Sequence, residues 1–283
     1  MFINSIKNFF KKTKIIYVDN TAFFQDFLGE LSKQKIIGID TEFDWRRTYF
    51  PKLSLIQFGF DKRVYLVDCI AIKNLEPLKV ILEEKDKMII FHSSRSDTTV
   101  LSSNLNIYVK NIFDIQIAEK VINFGEVKNY AFIVQKYLKI SLNKEETNSN
   151  WLKRPLSQSQ IEYASNDAKF LIEIFKKQKK VLENLGKYSE ALTFSKNEAE
   201  IGNEDFLKNR LKKQFKLSKN QKKVFIWREN IAKKLNLPPS FILKDNLISK
   251  VSKLDLNDKS VRKKLTYYFG DSDIVDMFFN NFK

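Results

Sequence analysis

An α/β fold followed by a smaller all-helical region is the architecture this sequence predicts, and three observations carry it. Apolar runs of strand length, KIIGID, LSLIQFGF, RVYLVD and MIIFH, recur through the first half with helical segments between them. Beyond Ser157 such runs stop, and helical patterning punctuated by Pro238-Pro239 and Gly270 takes over. Charge divides along similar lines. Met1 to Phe175 carries 25 basic and 21 acidic residues, a net of +4, whereas Lys176 to Lys283 carries 25 basic and 13 acidic, a net of +12.

Taken in order, Ile15 to Val18 predicts a short strand, and Asp19 or Asn20 can cap a helix running to about Leu31. Lys35 to Asp40 is near-continuously apolar and reads as a buried strand. Leu53 to Phe60 and Arg63 to Asp68 form a hairpin around Phe60–Lys62. A helix near Leu75 to Glu84 precedes a strand at Met88 to Phe91. Helices then follow from about Ser96 to Leu101, Ile115 to Ile122 and Asn129 to Leu138. Ser157 caps a long helix running to about Leu185, with Ser157-Gln158-Ser159-Gln160 offering a capping box. Gly186 to Asp205 stays helical in character but is less strongly patterned. Leu207 to Lys223 holds eight basic residues and no acid, and Val224 to Lys283 reads as several short helices. No internal repeat is found. The expected division is residues 1–205 and 206–283.

Composition narrows the function. At 283 residues and 43% hydrophobic the chain can bury a substantial core, which excludes global disorder. The single cysteine, Cys69, excludes an internal disulfide framework and any cysteine-rich zinc site. No apolar run approaches a membrane span, and Met1 to Lys14 lacks both a long apolar stretch and a small-residue cleavage site. The expectation is a cytoplasmic protein with no membrane association and no obligate protein partner. A formal charge of +16 makes a polyanion the natural partner. A general bias toward Lys, Asn, Ile and Phe is the other source of positive charge, but it does not account for the asymmetry.

Asp40 and Glu42 sit two apart at the end of a predicted strand, so both carboxylates point the same way. Two acids converging there cost desolvation and repulsion unless a cation neutralises them, and hard oxygen ligands suit Mg²⁺ or Mn²⁺. By itself the pair is also an ordinary strand end. Asp97 follows the strand MIIFH in the first turn of the next helix, where an acid complements the helix dipole without any further role. Tyr163 and Asp167, four apart on the long helix, share one face, which is a common arrangement too. Order and context of the five together make the signal.

At these residues the chain resembles the ribonuclease D branch of the DEDD exonucleases. The matching strings are Ile39-Asp40-Thr41-Glu42-Phe43, Arg47-Thr48-Tyr49-Phe50-Pro51-Lys52-Leu53-Ser54-Leu55-Ile56-Gln57, and Phe91-His92 through Asp97. Phe113-Asp114-Ile115-Gln116, Trp151-Leu152-Lys153-Arg154-Pro155-Leu156 and Tyr163-Ala164-Ser165-Asn166-Asp167 continue the match, which covers roughly residues 15–185. The family has Asp-Thr-Gln where this chain has Asp114-Ile115-Gln116, a departure outside the acids. The resemblance implies a ribonuclease H-like exonuclease domain, a mixed sheet flanked by helices. It also implies catalytic residues Asp40, Glu42, Asp97, Tyr163 and Asp167 and two divalent metal ions, Mg²⁺ or Mn²⁺. Asp40, Glu42 and Asp167 would hold the first ion, and Asp40 would bridge to the second with Asp97 assisting directly or through water. Tyr163, with an ordinary pKa near 10, reads as the positioner of the attacking water rather than its proton acceptor. The sister subclass uses a histidine five residues before its last aspartate, and His92 stands five before Asp97. That assignment would leave no room for the elements separating the motifs, so His92 reads as a packed or hydrogen-bonding residue.

Val224 to Lys283 resembles the helical domain shared by RecQ-type helicases and ribonuclease D, an HRDC-like all-α domain. Trp227-Arg228, Ala232, Asn236 and Pro238-Pro239 carry the match, with Leu243 and Leu247 as apolar followers. It implies nucleic-acid docking; Trp227, Leu235 and Phe241 read as its core. Lys208, Arg210, Lys212, Lys213, Lys216, Lys219, Lys222 and Lys223 are the candidate phosphate contacts. A solvated helix-and-linker face remains open for them. The function expected is a 3′–5′ exoribonuclease acting on RNA 3′ ends, tRNA precursors in particular. A DNA exonuclease of the same fold and a catalytically dead nucleic-acid scaffold are the alternatives; intact acids count against the scaffold.

Overall fold

The computed structural model describes residues 13–142, 146, 149–214 and 216–282, so the stretch 1–12 read above for a targeting signal lies outside the described residues. Its contacts divide it into two units, Met1–Asp44 with Lys52–Asn203, and Trp45–Pro51 with Glu204–Lys283.

The first unit is a six-stranded mixed sheet in the order β1-β4-β3-β2-β5-β6. Its strands are β1 Lys14–Val18, β2 Ile36–Asp44, β3 Lys52–Phe60, β4 Arg63–Asp68, β5 Met88–Phe91 and β6 Ile112–Asp114. β2, β3 and β4 pair antiparallel in turn, while β1 on β4, β5 on β2 and β6 on β5 are parallel. Asp61 and Lys62, both with positive φ, make the two-residue turn between β3 and β4, as a tight hairpin requires. The helices are α1 Thr21–Ser32, α2 Pro77–Leu82, α3 Arg95–Leu105, α4 Ile115–Ile122, α5 Tyr130–Leu138, α6 Gln158–Lys169, α7 Leu171–Asn184 and α8 Tyr188–Asn203. The Asn20 side chain caps α1, and Ser157 with Gln160 completes the capping box on α6.

Two expectations are corrected here. β2 does not end at Asp40 but continues to Asp44, with a bulge between Glu42 and Phe43, so both acids lie inside a paired strand. The long helix expected from Ser157 is two helices divided at Phe170, whose φ of −103° departs from helical geometry. Phe170 is buried, and the break lets α6 and α7 both press on the sheet. One close approach depends on glycine. Gly38 and Gly59 stand opposite each other on β2 and β3, and a Cβ at Gly59 would lie 2.4 Å from the Ala168 carbonyl oxygen. With no side chain there, the C-terminal turn of α6 reaches the sheet.

The second unit is helical: α9 Phe206–Lys212, α10 Lys219–Leu235, α11 Pro239–Ile242, a 3₁₀ turn at Asp245–Leu247, α12 Ile248–Val251, α13 Val261–Phe269 and α14 Ser272–Phe282. Trp227 packs at its centre against Phe269 and Phe278, as expected of a core residue, whereas Leu235 and Phe241 are exposed rather than core. Chain segment 45–51 belongs to this core. Tyr49 is buried in it, and the Tyr49 and Phe50 amides both donate to Asn236 Oδ1 at 3.1 Å. Among the described residues no helix is long and apolar enough to cross a membrane.

Candidate active site

β2 delivers Asp40 and Glu42 to one face, and α6 brings Asp167 against them. Asp167 directly precedes Ala168, the residue seated over Gly59. One carboxylate oxygen from each of Asp40, Glu42 and Asp167 lies within 4.8 Å of the others, a group that could hold a metal ion. Asp97, in the first turn of α3, lines the same cavity without joining that triplet. Its Oδ1 instead accepts the Thr41 hydroxyl at 2.7 Å, from the residue between the two β2 acids.

Asp97 is set in place by a second buried acid. Asp114 accepts the backbone N–H groups of Ser93 and Ser94 at 3.0 and 2.7 Å, just before α3, and that of Gln116 at 2.9 Å in the first turn of α4. One carboxylate therefore pins the β5–α3 turn, where Ser93 adopts a positive φ, to the end of β6. Arg154, in the segment leading into α6, is anchored in a comparable way. Its Nε and a terminal nitrogen reach the two oxygens of Asp68 at 2.6 and 2.8 Å, and it also donates to the Trp151 and Ser54 carbonyls.

The cavity has a volume of about 500 Å³ and is walled by the four acids with Phe43, His92, Asn129, Tyr130 and Tyr163. Its acids sit in an unusual electrostatic state. Withdrawal from water holds Asp40 well above the ordinary carboxylate range, and Asp167 adds to it. Burial raises Glu42 too, with further increments from Asp40, Asp167 and Asp97. Asp97 is raised by burial and by Asp40, against the hydrogen bond from Thr41. Asp167 is pushed up to about 7 by burial, partly offset by the hydrogen bond from Tyr163. No lysine or arginine among the described residues relieves any of the four. Like charges gathered without a basic partner are the arrangement that a cation stabilises, and an all-carboxylate donor set suits a hard divalent ion. The residues fit the ion expected of them.

A family model for 3′–5′ exonucleases matches residues 15–183. The chain belongs to this family. Within it, the chain is a member of the ribonuclease D group. It is 29% identical over 246 residues to ribonuclease D of Desulfotalea psychrophila, covering 83% of this chain and 66% of that one. It is 34% identical over 161 residues to ribonuclease D of Haemophilus influenzae, covering 56% and 40%. The chain thus spans about 40 to 66% of these two relatives' lengths. The crystal structure of Escherichia coli RNase D, described as an exoribonuclease involved in structured RNA processing, superposes with a TM-score of 0.79 at 22% identity, over 93% of this chain and 74% of that one. The mixed sheet flanked by helices is the ribonuclease H-like exonuclease fold.

For this ribonuclease D-family chain, the residues that sequence reasoning passed over are supporting ones. Thr41 and Asp114 lie inside the matching strings, and a hydroxyl or carboxylate beside the acids is a usable signal. Tyr130 had none, because it enters the cavity from a helix outside the motifs, with its hydroxyl donating to the Asn166 carbonyl at 2.9 Å. Burial and then Asp167 and Asp40 raise that phenol well above its ordinary value. Gln57, opposite Asp40 on β3, is buried with neither amide atom paired among the described residues. His92 meets its expectation as a packing residue against Tyr130, and lies 3.4 Å from the Gln116 amide. It also lines the cavity, which its position in the sequence did not reveal.

In the helical unit the eight basic residues separate into two kinds. Arg210 is half-buried, pairs with the buried Glu229 at 2.6 Å and lies over the Tyr49 ring, and Lys212 pairs with Glu204 at 2.6 Å. Lys208, Lys213, Lys216, Lys219, Lys222 and Lys223 are exposed.

Proposed function

We propose that this chain is a metal-dependent 3′–5′ exoribonuclease that removes nucleoside 5′-monophosphates from RNA 3′ ends, in the maturation of tRNA precursors and other structured RNAs in the cytoplasm. The observation that carries the reading is the convergence of Asp40, Glu42 and Asp167 within 4.8 Å, with no basic side chain among the described residues lowering their pKa values. Asp40, Glu42, Asp97 and Asp167 would hold two divalent ions, Mg²⁺ or Mn²⁺. Such ions, when bound, generate a hydroxide-like nucleophile and offset charge on the leaving 3′ oxygen.

The chain's own groups supply the positioning. Tyr163, hydrogen-bonded to Asp167, would orient the attacking water beside that acid. Thr41 fixes the rotamer of Asp97, and Asp114 fixes the turn from which Asp97 projects. The all-α segment 206–283 is read as a basic linker and HRDC-like domain that holds RNA, with residues 1–205 as the exonuclease domain. Exposed Lys208, Lys213, Lys219, Lys222 and Lys223 are better placed for phosphates than Arg210 and Lys212, whose charges pair with Glu229 and Glu204.

The test uses 3′-labelled RNA and DNA strands of matched sequence, with Mg²⁺ or with EDTA. Labelled mononucleotide should leave the RNA only when metal is present. Asp167→Ala should lower that rate by at least about a hundredfold while RNA binding persists. Endonucleolytic fragments, or an Asp167→Ala variant at wild-type rate, would sink the assignment; faster shortening of the DNA would reassign the substrate.

A further inference from the structure

The carboxylate cavity continues along the chain into a feature that none of the chemistry above uses. Asn129, Tyr130 and Ala131 form one wall of that cavity. Five residues before Asn129, in the turn after α4, Phe124 is 84% exposed with a left-handed φ of 56°. A phenylalanine so exposed contributes little to a core, and its backbone conformation is costly for any residue but glycine. Lys187 Nζ stands 4.8 Å from the centre of its ring. Beside the ring lies a cavity of about 360 Å³, with Val121, Phe124 and Phe194 on its apolar side and Lys120, Lys187 and Asn197 at its rim.

A second exposed ring lies in α5. Phe132 is 45% exposed, and Lys128 Nζ lies 5.1 Å from its ring centre. An open aromatic face with an adjacent ammonium, as Phe124 has in Lys187, is how single-stranded nucleic acid is held: the ring stacks a base and the cation meets a phosphate. At Phe132 the ring alone is open to a ligand, because Lys128 pairs with Glu126. Two nearby acids are already engaged, Glu126 by Lys128 and Glu198 by Arg95, which leaves Lys120 and Lys187 opposite Glu190. The pocket is of ligand size and combines apolar walls with a few polar groups able to meet a base edge.

We propose that Phe124 and the cavity beside it form a base-stacking subsite for an upstream nucleotide of a single-stranded RNA whose 3′ end occupies the carboxylate cavity. The inference rests on the proposed activity for its substrate class, although the ring and ammonium geometry owes nothing to the metal chemistry. Five residues of extended chain reach at most about 17 Å, roughly five nucleotides of a strand stacked at ~3.4 Å. The subsite therefore takes a base within about five of the 3′ end, and because Phe124 does not line the carboxylate cavity, that base is upstream of the terminal one.

Equilibrium binding of a fluorescent RNA decamer and of a mononucleotide, measured in EDTA so that nothing is cut, tests it on the whole chain. Phe124→Ala and Phe124→Leu should weaken the decamer at least about fivefold, the low end for one base on an aromatic ring. Phe124→Trp should restore it, with the emission of the added indole quenched by bound decamer. The mononucleotide should change less than about twofold. Equal decamer affinity in all variants, a leucine as effective as tryptophan, or a wild-type chain that does not bind the decamer overturns the subsite. Failure of the activity is read separately: a chain that binds through Phe124 yet releases no nucleotide with Mg²⁺ keeps the subsite and loses the exonuclease.

Discussion

Two ways of burying an acid stand close together in the sheet unit. Glu119, fully buried, accepts Lys136 at 2.5 Å, the Tyr137 hydroxyl at 2.7 Å and the Gln178 amide at 3.1 Å. Asp68 is gripped by Arg154 and by the Tyr17 hydroxyl. Burial works to raise both carboxyls, yet these donors outweigh it and hold them below their ordinary values. Asp40, Glu42, Asp97 and Asp167 are withdrawn from water as well, but among the described residues they receive a hydroxyl or two and no cation, and all four are raised. A chain that places Arg154 on Asp68 had the means to neutralise the others. Leaving them unneutralised stores repulsion where an external cation can relieve it, which is the electrostatic signature of a functional site.

The sharpest way to break this comparison is to remove one member from each place. Arg154→Met strands a buried carboxylate and should destabilise the chain by about 3 kcal/mol. Asp40→Asn removes a repelling charge and should stabilise the metal-free chain by up to about 2 kcal/mol while abolishing hydrolysis. Denaturant unfolding in EDTA reads both, and shifts of the same sign would mean that the two kinds of acid do not differ. A smaller effect probes how the site is assembled. Gly59→Ala places a Cβ 2.4 Å from the Ala168 carbonyl oxygen and must push α6 outward. The expected cost is about 1–3 kcal/mol. Hydrolysis should fall by about a hundredfold, because Asp167 moves with the helix. Wild-type turnover in a folded Gly59→Ala chain would show that the glycine contact does not set the site.

That glycine marks the limit of what the sequence disclosed. Strand alternation put Asp40 and Glu42 on one face and helical spacing put Tyr163 beside Asp167, since both depend only on local periodicity. That those faces meet rests on Gly59 opposite Gly38, and a glycine inside a strand has several explanations in a sequence but one in a structure. The break at Phe170 was hidden for a related reason: helical patterning continues through it, and only packing on the sheet reveals the bend. Segment 45–51 reads as a motif continuation, whereas Tyr49 is buried in the helical core and held by Asn236, 187 residues away. Such contacts depend on long-range packing that no window of sequence contains.

The gentlest probe of the contrast is pH. For Asp40, Glu42, Asp97 and Asp167 the folded chain holds protons more tightly than the unfolded one. Their stabilisation is therefore fully present below the unfolded values near 4 and is lost as pH rises through the folded values, about 7 for Asp167. Asp68 and Glu119 behave oppositely; they stabilise above their unfolded values and lose that only as pH falls through the lower folded ones. They are consequently silent between about pH 5 and 8. His92 opposes the four acids, because burial lowers its imidazole and stability gained from it rises toward about pH 6.5. Four groups against one leave a net fall, so in EDTA the Tm should drop by several degrees from pH 5 to pH 8, at about 2–4 °C per kcal/mol for a chain of this size. Mg²⁺ binds only the ionised cluster, so it should raise Tm at pH 8 and have almost no effect at pH 5. The Asp40→Asn chain should show a shallower slope and a smaller response to Mg²⁺. A metal-free Tm that climbs steadily from pH 5 to 8 would mean that the four acids are neutralised from within, like Asp68 and Glu119.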